Sequence, residues 1–427
     1  MEDYGIEMSK NIFQTVIIPT RNEEDYIETC INSLIDDWVI STTEFLIVDG
    51  RSTDRTLEIV KEKFAHLNLK ILDNPNLYQS YAMNIGIKNS SSKDSDPSYS
   101  DGKISEEQNE WNGIIIRADA HCNFPPNYIR NCRQAIRDNM ATEGEGVLNM
   151  GSIQKSIGSD TFTKAVATVM NSKYGMGGVK YRKSNYKFQD EKLIPSDTAY
   201  LGAWMKGALE NALKDMGQLV YGKSIEEKIA KAKFQELWRK HELEDSFSDN
   251  LPINWEKLIL NPYEEPLIYN EEFQINEDYE LNIRINNASN SGVVVNTEQV
   301  VDYFVRNSLF GLIKQFFRYG LWKTKTLSIH PDSLKVRQLA PVLFVLFLTS
   351  LAIGNLILLS PSLAILNGIA GIVGLLWIIM ILVIFKDSPK IINILLIPTI
   401  VLSMHISWGL GFLFGLLRWA KGGWNKF

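Results

Sequence analysis

The far end of the chain constrains everything before it. From Gln338 to Phe427 the only charged side chains are Lys386, Asp387, Lys390, Arg418, Lys421 and Lys426, a net of +4. The whole chain carries −6, so the preceding 337 residues hold about −10. An acidic, water-compatible body joined to an almost uncharged tail describes a soluble domain on a membrane anchor. The tail holds three apolar stretches, about 339–359, 363–385 and 391–417. Each reaches the roughly 20 residues needed to cross a bilayer core as a helix. This split excludes collagen-like, disordered and disulfide-scaffold classes. Cys30, Cys122 and Cys132 stand at no metal-ligand spacing and fit a reducing compartment. The opening residues are polar and acidic, which leads us to expect the body on the cytoplasmic side of the cell membrane. Its acidity argues against a nucleic-acid partner.

Within the body, short apolar runs alternate with amphipathic stretches. Phe13 to Pro19 reads as a buried strand, and Glu23 to Ile35 as a helix with Ile27, Ile31, Leu34 and Ile35 on one face. Glu44 to Asp49, Leu69 to Leu72 and Gly113 to Arg117 read as further strands. Ser52 to Phe64 and Tyr78 to Ile87 read as helices. Strand–helix alternation without hairpin signals predicts an α/β fold with a largely parallel sheet. Ligands of such sheets sit at the carboxyl ends of the strands, where Arg21-Asn22-Glu23, Asp49 and Asp119 all fall.

Two segments interrupt the pattern. Ser90 to Glu110 is polar and acidic and reads as a disordered surface loop. Gln218 to Pro266 reads as an insertion containing a helix capped by Ser224 and Glu227. Ahead of the apolar tail, Arg306 to Arg337 mixes seven basic residues with aromatic ones against a single acid, Asp332. That is the composition of a segment lying on a membrane surface.

Four polar clusters could carry chemistry. In Pro19-Thr20-Arg21-Asn22-Glu23-Glu24 with Asp49-Gly50-Arg51-Ser52, a strand-end Asp before a small-residue turn can hold a ribose or base edge, or merely cap the turn. In Asp119-Ala120-His121, two potential ligands two positions apart can share one Mg²⁺ or Mn²⁺ with a diphosphate; otherwise Asp119 caps a strand end. In Glu277-Asp278-Tyr279-Glu280-Leu281, burial of Leu281 and Ile285 would point the two leading acids outward at a helix start. A carboxylate there is either a general base or a solvated complement to the helix dipole. In Gln315-Phe316-Phe317-Arg318-Tyr319, Gln315 and Arg318 share a helical face. Arg suits a diphosphate, or the helix simply lies on lipid headgroups.

The order of these clusters is more specific than any one of them. The sequence resembles family 2 glycosyltransferases of the GT-A fold, and within them the ExoA-like succinoglycan-biosynthesis group. The match runs through the four clusters, Asn84-Ile85-Gly86, Asp197-Thr198 and the run to Arg337-Gln338. The resemblance implies an inverting enzyme with Asp278 as catalytic base. It implies a donor site formed by Pro19, Arg21, Glu23, Asp49, Ser52, Asn84, Asp119, Gln315, Arg318 and Tyr319. Asp119 and His121 would hold a divalent metal, Mg²⁺ or Mn²⁺. Tyr319 stands where processive relatives carry Trp, which argues against processivity.

The expected organisation is a cytoplasmic GT-A catalytic domain over 1–305, an interfacial segment over 306–337 and a membrane region over 338–427 with two to three spans. The expected reaction moves a sugar from a UDP-linked donor to a lipid-linked saccharide. The rivals are a polyprenyl-phosphate sugar synthase and a transport or sensor protein with a non-catalytic sugar-nucleotide domain. The third apolar stretch, interrupted by Pro398, His405, Gly409, Gly411 and Gly415, is expected to be bent or re-entrant.

Overall fold

The computed structural model describes residues 12–91, 113–139, 146–172, 174–175, 178–182, 191–223, 264–289, 292–357, 362–386 and 393–422. The chain begins β1 (Gln14–Thr20), α1 (Ile27–Leu34), α2 (Asp37–Thr42), β2 (Thr43–Asp49), α3 (Thr56–Lys63), β3 (Leu69–Asp73), α4 (Gln79–Asn89) and β4 (Ile114–Arg117). It continues through β5 (Cys122–Asn123), α5 (Tyr128–Asp138), β6 (Asn149–Ile157), α6 (Thr161–Asn171), β7 (Leu193–Pro195), β8 (Tyr200–Met205) and α7 (Lys206–Asp215). After β9 (Val220–Lys223) and β10 (Glu264–Leu267) come α8 (Glu277–Ala288) and β11 (Val293–Phe304). Four long helices close the chain: α9 (Leu309–Ile329), α10 (Val336–Ile357), α11 (Ser362–Lys386) and α12 (Asn393–Ala420).

One sheet organises the body, in the order β3-β2-β1-β4-β8-β6-β11-β5, with β7 also paired to β11. The first four strands are parallel, as the βαβ pattern predicts. The other half corrects the expectation of a largely parallel sheet. β8 runs antiparallel to both β4 and β6, and β5 and β7 run antiparallel to β11. This mixed sheet, four parallel strands continued through an antiparallel β8 to the parallel pair β6 and β11, is the expected GT-A arrangement. The parallel register pairs Thr20 with Asp49 and Ile17 with Arg117, so the chain leaves three strands along one edge.

Both faces of the central strands are covered, which explains their unbroken apolar runs. Val16, Ile18, Ile47, Ile114 and Ile116 enter one core; Ile17, Leu46, Val48 and Ile115 enter the other. Fully burying each such side chain contributes about 1.5–3 kcal/mol. The first core does not stop at the body. Ile384, Ile397, Ile400, Val401 and Met404 belong to it, and α6 packs directly on α12. The body and the apolar helices are therefore one packed unit.

Among the described residues three helices are long and apolar enough to cross a membrane, over Val336–Ile353, Asn367–Lys386 and Leu395–Ala420. They differ in environment: 44% of the last is buried in protein, against 11% and 6% of the others. The third stretch, expected to be bent or re-entrant, forms one helix, α12, with Pro398 inside it. Its glycines are contact points instead. A methyl group at Gly411 would strike the carbonyl of Phe317, one at Gly415 the hydroxyl of Thr324, and one at Gly409 the carbonyl of Pro341. From the other side, a methyl at Gly320 would strike the carbonyl of Trp408. Small residues let helix backbones approach closely where no hydrophobic force drives association. They clamp α9 onto α12.

The two interruptions seen in the sequence lie mostly outside the described residues, including the helix expected at Ser224. The strands flanking the second, β9 and β10, pair antiparallel with Lys223 opposite Glu264.

Candidate active site

The carboxyl edge of the sheet and the start of α9 enclose a cavity of about 1170 Å³. Asp119, His121, Asp278, Gln315, Arg318 and Tyr319 line it, so clusters 160 to 200 residues apart in sequence meet there. Pro19, Arg21, Glu23, Asp49, Ser52 and Asn84 are not among the lining residues.

Asp49, Ser52 and Asn84 have local partners instead. Asp49 accepts from the Ser52 backbone NH at 2.9 Å and the Ser52 hydroxyl at 2.6 Å. The Asn22 backbone NH donates to the Ser52 hydroxyl at 2.9 Å, and the Thr53 backbone NH donates to the Asn22 side-chain Oδ1 at 2.8 Å. Asn22 and Arg51 take left-handed backbone conformations, which lets the two strand-end turns interlock. Asn84 is spent on structure: both ends of its amide bond the Tyr269 backbone, at 2.8 and 3.0 Å.

Asp119 and His121 leave the end of β4. Asp119 Oδ1 accepts from Arg117 Nε and from Gln79 Nε2, each at 3.0 Å. His121 Nδ1 faces Glu23 Oε1 at 3.2 Å. A carboxylate on one ring nitrogen fixes an imidazole's orientation and leaves the other nitrogen available, the usual support of a metal-binding His. Glu23 thus enters the site through His121. Among the described residues no group of three or more His, Cys, Asp or Glu is placed to hold a metal. The protein offers one carboxylate and one supported imidazole. That set fits a cation whose remaining positions are filled by substrate phosphates and water.

Asn276, also left-handed, turns the chain into α8. The sequence led us to expect Glu277 and Asp278 to point outward; the structure turns them inward. Glu277 is 5% exposed, and both acids line the cavity. Arg117 explains why they can be buried. Its Nη2 lies 3.8 Å from Glu277 Oε1, while its Nε holds Asp119. Burial raises the pKa of Glu277 and of Asp278, and Arg117 opposes the rise in both. Asp278 also accepts from the Tyr279 backbone NH at 2.7 Å.

On α9, Gln315 Nε2 donates to the Tyr319 hydroxyl at 2.9 Å and approaches the Tyr303 hydroxyl at 3.4 Å. Arg318 lines the wall beside them. Sequence reasoning gave no role to Gln79, Arg117, Lys323 or Arg337, all of which line the cavity, and it expected Glu277 on the outside. Lys323 follows Gln315 and Tyr319 at four-residue steps, a helical stripe that could have singled it out. Nothing in the sequence marks the pairing of Arg117 with Glu277.

Comparison with known proteins fits this geometry. Residues 15–144 match the family model Glycosyl transferase family 2. Residues 15–144 thus form a glycosyltransferase family 2 domain, and the chain as a whole is similar to the ExoA-like group. It is 25% identical to succinoglycan biosynthesis protein ExoA of Rhizobium meliloti (strain 1021) over 77% of this chain and 74% of that one. Over 81 residues, 18% of this chain and 25% of the other, it is 46% identical to a Methanococcus voltae protein. That relative is the dolichyl N-acetyl-alpha-D-glucosaminyl phosphate 3-beta-D-2,3-diacetamido-2,3-dideoxy-beta-D-glucuronosyltransferase. Among solved structures, mannosyltransferase PcManGT from Pyrobaculum calidifontis, in complex with GDP-Man and Mn²⁺, overlaps 96% of this chain and 88% of its own. The TM-score is 0.48 at 14% identity.

Proposed function

We propose that this enzyme transfers a sugar, with inversion, from a UDP-linked donor to a lipid-linked saccharide during polysaccharide or glycoconjugate synthesis. The observation that carries this is the cavity itself. It holds Asp119 and Asp278 at one end and reaches Pro341, Met404 and Trp408 of the apolar helices at the other. The catalytic domain, 1–305, works at the cytoplasmic face of the cell membrane. The interfacial segment, 306–337, and the multi-pass region, 338–427, hold it there.

In this reading Asp278 removes the proton from the acceptor hydroxyl as its oxygen attacks the anomeric carbon. Burial that raises its pKa makes it a stronger base once ionised. Asp49 binds the nucleoside of the donor, with Pro19, Arg21, Ser52 and Asn84 shaping that end. Gln315, Arg318 and Tyr319 meet the diphosphate. Asp119 and His121 would hold Mg²⁺ or Mn²⁺, which when bound offsets negative charge on the leaving diphosphate. Glu23 keeps the His121 ring in place for that role.

The test is a panel of labelled nucleotide sugars given to membranes containing the enzyme. Label from a UDP-sugar should enter an organic-extractable product carrying more than one sugar, with the opposite anomeric configuration. A product holding one sugar on polyprenyl phosphate, or label confined to water-soluble material, would overturn the reading.

A further inference from the structure

Lys323 is a buried amine with no acidic partner among the described residues. Its side chain is 3% exposed on the inner face of α9, yet it lines the cavity. Nζ donates to the Ser333 carbonyl at 3.0 Å and approaches the Ser333 hydroxyl at 3.1 Å, and lies 4.4 Å from the centre of the Tyr279 ring. All three partners are neutral, and among the described residues no carboxylate lies within ion-pair distance of it. Its neighbour Lys325, by contrast, has Glu272 at 2.7 Å. Burying an ammonium without an opposite charge is costly, and such groups are found where a ligand supplies the charge.

The surroundings identify that ligand. Lys323 shares the cavity wall with Asp278, the proposed base, whose neighbour Tyr279 it touches. Arg337 lines the cavity at the start of α10, half-exposed and paired with Asp197 at 3.0 Å. The cavity as a whole is lined by seven arginines and lysines against three carboxylates, Asp119, Glu277 and Asp278. A sugar nucleotide brings roughly two negative charges, matched by the divalent cation that accompanies it. The donor therefore leaves the cationic excess unmatched, and a second anion is needed. The same wall includes Pro341, Met380, Met404 and Trp408, all from the apolar helices and all later in the chain than Lys323 and Arg337. An anion bonded to an apolar chain matches both halves of that wall.

We propose that Lys323 and Arg337 form an anion subsite that takes the phosphate of the lipid carrying the acceptor saccharide. The lipid's first apolar units lie along Pro341, Met380, Met404 and Trp408. This rests on the lipid-linked reading above and adds the place where the carrier is held. The carrier's phosphate is then fixed next to Asp278, and the saccharide attached to it is presented to the base.

The test uses the full-length enzyme in nanodiscs with saturating UDP and Mn²⁺, so that the donor site is filled. Farnesyl diphosphate, inorganic pyrophosphate and farnesol are titrated by calorimetry. Farnesyl diphosphate should bind about tenfold or more tighter than either half alone, since each half contributes separately. Lys323→Met should weaken farnesyl diphosphate about tenfold or more, the scale of one charge-assisted hydrogen bond. UDP affinity and melting temperature report the fold and should stay near the parent's, and Lys323→Arg should recover most of the loss. Parental farnesyl diphosphate affinity in Lys323→Met would overturn the subsite. So would competition between farnesyl diphosphate and UDP. Pyrophosphate binding as tightly as farnesyl diphosphate would show a free-phosphate site and overturn the lipid assignment. Sugar entering the lipid fraction at the parent's rate and KM in Lys323→Met membranes would sink the subsite and spare the lipid-linked reading. Label confined to water-soluble product in the parent would sink both.

Discussion

Arg117 Nε lies 3.0 Å from Asp119 Oδ1, and the same guanidinium reaches Glu277 at 3.8 Å. One buried arginine thus ties Asp119, at the end of β4, to Glu277, at the start of α8. All three side chains are nearly inaccessible, so each relies on the others for compensation.

Removing that arginine should therefore damage the fold as well as the site. Arg117→Met leaves Asp119 and Glu277 buried without their cation, a change that costs about 3–5 kcal/mol for a buried pair. A clear fall in melting temperature is expected. Arg117→Lys keeps the charge but cannot bridge both acids, and should lie between. A melting temperature equal to the parent's for Arg117→Met would mean the bridge is not structural.

Asp278→Asn should lower transfer by about 10²–10⁴-fold, the usual cost of losing a general base, while UDP affinity stays within about twofold. The pH profile gives a second check. Burial raises the Asp278 pKa, so the acid stays protonated, and inactive as a base, above the ordinary carboxylate range of about 4. Log kcat/KM should rise with pH and level off only above that range. A profile that levels off within or below the ordinary carboxylate range would count against Asp278 as the base.

Asp119→Ala should abolish the effect of Mn²⁺ on UDP affinity, measured by titration with and without the metal. His121→Ala should weaken it, and Glu23→Gln should weaken it less, because Glu23 acts only by holding the imidazole. Loss of such a supporting partner costs about 10–100-fold in metal affinity. An unchanged metal effect in Asp119→Ala would reduce that residue to a partner of Arg117 and Gln79.

The parallel half of the sheet was legible because β1, β2 and β4 are unbroken apolar runs flanked by amphipathic helices, so their burial is written locally. The antiparallel half was not. β6, Asn149-Met150-Gly151-Ser152-Ile153-Gln154, is half polar, and its direction is set by pairing with β8 and β11, far away in sequence. At the site, Asp119, His121, Gln315 and Arg318 were legible as motifs and do share the cavity. The inward turn of Glu277 was not, because acids opening a helix look solvated until their partner is known. That partner, Arg117, lies 160 residues earlier. Glycines in α12 suggested a broken segment by composition, but their role depends on α9, whose approach the sequence does not display.

Lys323 should make anion binding pH-dependent near neutrality. Burial is the largest cause holding its pKa down, to about 7, followed by the nearby charges of Lys335 and Arg337; Asp197 acts the other way. Only the protonated form binds an anion, so farnesyl diphosphate affinity should be steady below pH 7 and fall above it. The stability effect has the opposite trend. Between about 7 and the unfolded value of about 10.4, the native state binds fewer protons than the unfolded one. Lys323 then makes stability rise with pH across that window. Lys323→Met should flatten both dependences. Persistence of the same pH slope in its farnesyl diphosphate affinity would assign the titration to another group.

The last prediction concerns how the apolar helices hold the site together. α9 carries Gln315, Arg318, Tyr319 and Lys323, and it is clamped to α12 where Gly411 meets the Phe317 carbonyl and Gly320 meets that of Trp408. A side chain at Gly411 must push the two helices apart, moving the α9 residues away from Asp278. Misplacing reacting groups by about 1 Å can cost up to 10²-fold in rate. Gly411→Leu should therefore lower transfer by about tenfold or more, with Mn²⁺-dependent UDP binding less affected than transfer. Gly371→Leu is the control: it lies in α11, where an added methyl meets nothing within 4 Å. It should leave transfer within about twofold of the parent. Equal losses in the two variants, at equal amounts of folded enzyme in the membrane, would show that close packing of α9 on α12 does not position the site.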